Sequence, residues 1–232
     1  MIIRKNILGD SIGEIELVDS MGSDLTVVNS ARISFGGKSE SINKKDKKLI
    51  EYLAKNEHTS PFRHSFLSFR IKAPEMIMRQ WYKHVIGCSW TAPEFHNHGW
   101  NEISGRYIEV EPEFYHVKTY RKQSEDNKQG SDGKMEKMPN TICRAGVHEG
   151  ADLAFRTDKM MLELGASKEQ ARMVLPLSLY TEVIWTGSLQ AMHNFVKLRD
   201  HEHAQEEIRL YAQAISSVCE TKFPYSWEAL TG

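Results

Sequence analysis

Three short stretches of this chain collect side chains able to hold an anion and activate a substrate. Arg79-Gln80-Trp81-Tyr82-Lys83-His84 sets two cations, an amide and an imidazole at spacings that share a helix surface. In Asn101-Glu102-Ile103-Ser104-Gly105-Arg106-Tyr107, Gly105 permits close backbone approach, and Ser104 with Arg106 could grip a phosphate. Arg199-Asp200-His201-Glu202-His203-Ala204-Gln205 stands at the entry to an amphipathic segment. Each stretch also has a plainer reading. Arg79 and Lys83 can be a solvated helix face, Ser-Gly-Arg a turn, and Asp200 with Glu202 ordinary partners of a helix dipole.

Elements must position these groups. Residues 14–18 (EIELV) alternate as a short strand, and Ser23 can cap a helix opening near Asp24. Residues 36–48 are polar and predict a surface loop. Leu49, Ile50, Leu53 and Ala54 then predict a helix over 45–56. SPFRH (60–64) is a turn. Leu67, Phe69 and Ile71 alternate through a strand at 64–72, which Pro74 ends while opening the next helix. On that helix Ile77, Trp81 and Val85 are expected to face the core, and Gln80, Lys83 and His84 another side. Residues 87–105 read as a long loop. Residues 118–139 are charged, nearly free of apolar side chains, and are expected to be a mobile surface segment within one domain. Helices are expected at 141–164 and 168–172, then a buried strand at 177–185. Two helices close the chain, the last with an apolar stripe of Ala204, Ile208, Tyr211, Ala212, Ile215 and Cys219.

Composition narrows the function classes. The 232 residues are 40% hydrophobic and 26% charged, which suits one ordinary domain, α/β or α+β, over residues 1–232. A net charge of −1 favours neither nucleic acid nor an anionic membrane. No apolar run is long enough to span a bilayer, and the first twenty residues lack a signal-peptide core. An intracellular protein is expected. Cys88, Cys143 and Cys219 are few and scattered, so no disulfide framework is expected.

Five blocks in order resemble the flavin-dependent thymidylate synthases: LVDSMGSDLTVVNSARISF (17–35), HTSPFRHSFLSFRIKAP (58–74), RQWYKH with NEISGRY (79–84 and 101–107), ARMVLPLSLYTEVIWT (171–186) and NFVKLRDHEHAQEEIRLYA (194–212). The resemblance implies a single domain with a central mixed or antiparallel sheet flanked by helices. It implies a cytoplasmic homotetramer (host cytoplasm if virus-encoded) whose active sites form between subunits, with no nucleic-acid or membrane partner. The implied reaction methylates dUMP to dTMP. Methylenetetrahydrofolate gives the carbon, and FAD reduced by NADPH gives the hydride. Carried over residue by residue, dUMP falls to Gln80, Lys83, Glu102, Ile103, Ser104, Gly105, Arg106, Arg172 and Arg199. FAD falls to His58, Ser60, Lys83, His84, Val85, Glu102, Ser188, Gln190 and Asn194. Arg199 is the implied catalytic residue, polarising the uracil ring so that no enzyme thiol is needed at C6.

The chain departs from the family signature in two ways. Lys83 and Val85 stand where arginines usually flank His84, and Ser188 and Gln190 where Asn and Arg are usual. Eighteen residues separate Val85 from Ser104, where the usual signature has seven. The insertion, residues 88–100, adds Trp90, Phe95, His96, His98 and Trp100 near the pocket. It reads as a packing loop, as a modifier of the reaction or folate site, or as a metal site from Cys88, His96 and His98. The last lacks standard zinc spacing, and no metal is expected. A flavin enzyme that hydroxymethylates dUMP, and a silent nucleotide-binding relative, are the alternative functions.

Overall fold

Alternation in residues 66–74 puts Leu67, Phe69, Ile71 and Ala73 on one face, all at 0% exposure, while Ser68, Arg70 and Lys72 face the other way. The computed structural model describes residues 2–87, 99–108, 113–128 and 130–232. In chain order its elements are β1 (Ile2–Lys5), β2 (Glu14–Met21), α1 (Asp24–Arg32), α2 (Lys44–Lys55), β3 (Phe66–Pro74), α3 (Glu75–Trp81), β4 (Trp100–Glu102), β5 (Arg121–Gln123), β6 (Ser131–Lys134), α4 (Lys137–Glu163), α5 (Lys168–Ala171), β7 (Tyr180–Ser188), α6 (Leu189–Arg199), α7 (Glu206–Lys222) and α8 (Pro224–Thr231). Short 3-10 turns occupy Ile33–Phe35, Ser60–His64 and Arg172–Val174.

The main sheet runs β1-β2-β3-β7-β4 and every pairing is antiparallel, so the fold is α+β with an antiparallel rather than a mixed sheet. Its apolar face carries Ile15, Phe69, Val183 and Trp185 into one core with Val28, Ile50, Phe195, Tyr211 and Trp227 from the helices. The opposite face is polar. There Arg70 donates to Glu182 and Lys72 pairs with Glu113 at 2.5 Å. This one-sided layering is what alternating strands beside amphipathic helices require.

Several expectations change. The helix after Pro74 stops at Trp81, so Val85 lies beyond it and is 41% exposed rather than in the core. The chain turns there: the His84 N–H donates to the Trp81 carbonyl, and Gly87 takes a φ of 80° that a β-carbon would disfavour. Lys83 and His84 therefore sit on a turn, not on the helical face with Gln80. Within residues 118–139, Arg121–Gln123 and Ser131–Lys134 pair as β5 and β6, and the following helix begins at Lys137. Arg121 fastens this hairpin to α7 through Glu206 and the buried Glu207. The polar run 36–48 also hides structure. Asp46, at 0% exposure, accepts from Arg32 and Ser39 and from the Asn43 backbone N–H. The strand expected at 177–185 is shifted to Tyr180–Ser188. A third closing helix, α8, restarts at Pro224, where the missing N–H costs nothing at a first helical position.

Candidate active site

β3 runs into α3 and β7 into α6 without a connecting loop, and these two junctions set the geometry of the site. α3 presents Glu75 and Arg79, one helical turn apart, to a cleft of about 570 Å³. Glu102 and the Ile103–Arg106 turn form a second wall, and Arg172 with Glu169 a third. Residues 102–106 and 172 are thus brought together as expected, although far apart in sequence. Arg106 donates to the Ser104 hydroxyl through its backbone N–H and its Nε, each at 3.3 Å. Glu102 accepts from the buried Thr181 hydroxyl at 2.9 Å. This fixes the carboxylate at the end of the three-residue edge strand.

A second cluster lies beside α3 and outside that cleft. Arg199, the last residue of α6, donates through Nε to His84 Nε2 at 2.9 Å. Its Nη1 approaches Gln80 Oε1 at 3.5 Å, and Gln80 donates in turn to Gln205. Arg199 and Gln80 are therefore together, and among the described residues they are not part of the lining of the cleft that holds Arg106 and Arg172. The bond from Arg199 requires an acceptor lone pair on Nε2, which puts the His84 proton on Nδ1. Burial and the neighbouring Arg199 charge lower the His84 pKa to about 4, so the imidazole is neutral near pH 7. Burial likewise lowers the Arg199 pKa, the sign of a partly desolvated cation.

The sign of the His84 shift gives a stability prediction. Below its ordinary value of 6.5 an unfolded His84 takes up a proton that the folded one refuses until about pH 4. Stability contributed by this site is thus present above 6.5 and lost as pH falls towards 4. The variant H84Q, which keeps an acceptor but does not titrate, is expected to lose less melting temperature than wild type across that window. Thermal melts at several pH values check this, and parallel curves would refute it.

The residues expected beside FAD are partly gathered. Ser188 caps α6 by accepting from the Ala191 N–H at 3.2 Å, its own N–H donates to the Gly87 carbonyl, and the Leu189 N–H donates to Ser65 at the end of the SPFRH turn. The turn holding Lys83, His84 and Val85, the 60–65 segment and the α6 start therefore meet. His58 and Ser60 are exposed, and His58 lies edge-on to Tyr52 at 5.8 Å. Gln190 donates to Asn194 Oδ1 at 2.9 Å, while its buried Oε1 has no hydrogen-bond partner among the described residues. A buried acceptor in that state calls for an N–H from a bound group, which a flavin imide offers. Lys83 and Val85 are exposed on their turn.

Cys88, Trp90, Phe95, His96 and His98, with the metal alternative built on them, lie outside the described residues. Among those described, no three His, Cys, Asp or Glu side chains are grouped to hold a metal. Cys219 is a core thiol whose pKa burial raises, which suits packing and not nucleophilic attack. Glu75 and Thr181 were not singled out from sequence. An acidic residue just after a helix-opening proline reads as a dipole partner, and only its spacing of four from Arg79 hinted at a shared wall.

The sequence profile of the family described as thymidylate synthase complementing protein matches residues 16–225. Among individual relatives, a flavin-dependent thymidylate synthase of Thermus thermophilus is 39% identical, over 94% of this chain and 75% of that one. The enzyme of the same description from Thermotoga neapolitana is 37% identical, over 94% and 90%. A crystal structure of the UMP/dUMP methylase PolB from Streptomyces cacaoi bound with 5-Br dUMP superposes with a TM-score of 0.79 at 29% identity, over 94% of this chain and 93% of that one. The same protein bound with 5-Br UMP gives 0.78 at 30%. Among the described residues, no helix is long and apolar enough to cross a membrane.

Proposed function

The chain belongs to the thymidylate synthase complementing protein family, and from that premise we propose that it is a flavin-dependent thymidylate synthase converting dUMP to dTMP. Methylenetetrahydrofolate is the carbon donor, FAD the bound cofactor and NADPH its reductant, and tetrahydrofolate is released. The observation that carries this reading is the cleft in which the Ser104-Gly105-Arg106 turn and Arg172 converge. A phosphate dianion suits arginine guanidinium groups, and Arg106 and Arg172 line this cleft.

The side chains divide the work. Arg106, Arg172 and Ser104 hold the nucleotide phosphate, and Glu102 stands at the junction of nucleotide and cofactor. Arg199 faces the uracil ring. A guanidinium near the N3 edge favours the ionised ring and raises electron density at C5, so the ring attacks the one-carbon unit without covalent help from a thiol. Neutral His84 anchors Nε of that guanidinium and adds no competing positive charge. Ser188, Gln190, Asn194, His58, Ser60 and the Lys83–Val85 turn hold the flavin. When bound, reduced FAD supplies the hydride that completes the methyl group.

Among the described residues the Arg199 cluster does not line the cleft, and a homotetramer joins the cluster of one protomer to the cleft of another. What supports this is α4. Its Met138, Ile142, Leu153 and Met160 recur on one side of the helix and are between 51% and 73% exposed, a stripe suited to a second copy. The enzyme works in the cytoplasm, that of the host if it is virus-encoded.

The test is product mass. Purified protein with FAD, NADPH and methylenetetrahydrofolate is offered dUMP, with UMP in parallel. A product heavier by one CH2 is expected. A product carrying an additional oxygen would make it a hydroxymethylase, and no product with no nucleotide binding would remove the reading.

A further inference from the structure

The phosphate reading employs Arg106 and Arg172 and leaves Arg79, the third arginine lining the same cleft, without a task. Arg79 lies in the last turn of α3 and is exposed. Its side chain has no hydrogen-bond or ion-pair partner among the described residues, and neither has that of Arg172. A cation in a last helical turn has a plain reading, as a partner of the helix dipole. The architecture of the cleft gives Arg79 more than that.

Backbone bonds fix the three walls to one another. The Glu75 and Met76 N–H groups donate to the Leu179 and Leu177 carbonyls, each at 2.9 Å, so α3 is fastened to the segment that leads into β7. Arg172 stands at the start of that segment, where its carbonyl accepts from the Leu175 N–H at 3.1 Å. The Ile103 N–H donates to the Glu182 carbonyl at 2.9 Å, which fastens the turn carrying Arg106 to β7 itself. Ile77, Met78 and Trp81 are buried, which sets the rotation of α3 and keeps Arg79 on the side turned from the core. Charge also matters. Glu75, Glu102 and Glu169 line the cleft, and no ion pair joins any of them to Arg79, Arg106 or Arg172 among the described residues. With Arg106 and Arg172 alone, two cations would meet three carboxylates and an incoming dianion would be repelled.

We propose that Arg79 is a specificity-determining residue, a third guanidinium that meets the terminal oxygens of the nucleotide phosphate from the α3 wall. The proposal rests on the assignment of this cleft to that phosphate. A phosphate monoester presents three terminal oxygens, and the three walls supply one guanidinium each. A diester presents two and a nucleoside none, so the class selected is the terminal monophosphate. The next residue, Gln80, is approached by Arg199 Nη1 at 3.5 Å. One rigid helix thus serves phosphate recognition with one side chain and the Arg199 cluster with its neighbour.

The experiment measures dUMP binding to the flavin-loaded protein and its displacement by two fragments, inorganic phosphate and deoxyuridine, for wild type, R79M and R79K. Methionine keeps an unbranched, helix-compatible stem and removes every donor. R79M is expected to weaken dUMP by about ten- to a hundredfold, the usual worth of a hydrogen bond to a charged group. Displacement by phosphate should weaken with it, and displacement by deoxyuridine should not change. R79K keeps the charge without the fork and is expected to lose less. Should R79M fail to load flavin, R79K carries the test through the same contrast between the two fragments. Unchanged dUMP affinity, as for a dipole partner, overturns the proposal and leaves the nucleotide reading standing. Equal weakening of both fragments would mean that Arg79 acts only by seating α3, and overturns it too. Absence of dUMP binding in wild type overturns proposal and reading together.

Discussion

R199Q is expected to slow dTMP formation by a factor on the order of 10²–10³ at saturating dUMP, the usual cost of losing one preorganised charged donor at a developing negative charge. The reason lies in where Arg199 ends up. It is the final residue of α6, half-buried, and its Nε is committed to His84 at 2.9 Å. Its charge is therefore fixed in direction and weakly screened, and a glutamine supplies shape but no cation. R199K keeps the charge on a flexible stem and loses the planar fork, so only part of the rate should return. Flavin content serves as the control, since Arg199 is not assigned to the cofactor. A variant within threefold of wild type would remove Arg199 from the chemistry.

W81A is expected to lower stability by about 3–5 kcal/mol and the melting temperature by roughly 10 °C. Trp81 is fully buried. It stacks on Phe195 of α6 at 4.4 Å and meets Trp185 of β7 and Tyr211 of α7 edge-on at 5.5 and 5.8 Å. It is thus the side chain through which α3, carrying Arg79 and Gln80, is seated against α6, carrying Arg199. Activity should decline below the melting transition, because the Gln80–Arg199 approach depends on that seating. W81F retains an aromatic face for Phe195 and removes an indole N–H that has no partner among the described residues, so it should cost less than W81A. Thermal melts and dTMP formation for both variants decide this. A drop of less than about 2 °C for W81A would mean the core repacks around the loss.

The sequence made the scaffold legible where one period dominates. Leu67, Phe69 and Ile71 announced β3, and Ile208, Tyr211, Ala212, Ile215 and Cys219 announced α7, because a half-buried strand and an amphipathic helix each leave a repeating imprint. Val85 was misread because Ile77, Trp81 and Val85 satisfy a helical repeat that the chain abandons at Trp81. Periodicity cannot register a turn enforced by Gly87 and by a backbone bond from His84. The β5–β6 hairpin escaped notice because its hold on the molecule is ionic, Arg121 on Glu206 and Glu207, and ion pairs between distant segments leave no local pattern. Arg106 and Arg172 in one cleft were legible only through family resemblance. Glu75, on the wall of the same cleft, was legible through neither.

Gly87 and Gly99 are held at neighbouring points on β7. The Gly87 carbonyl accepts from the Ser188 N–H, and the Gly99 carbonyl accepts from the Thr186 N–H at 2.7 Å, so β7 clamps both ends at positions two residues apart. Two anchors this close fix both ends of the interval between them whatever its length. Doubling its length adds only about 0.6 kcal/mol of closure entropy and moves neither His84 on one side nor Glu102 on the other. This chain can therefore carry a longer interval between the two halves of its signature than its relatives usually do. It also marks Gly87–Gly99 as the place where a shortened loop or a grafted reporter peptide should be accepted without disturbing the sheet.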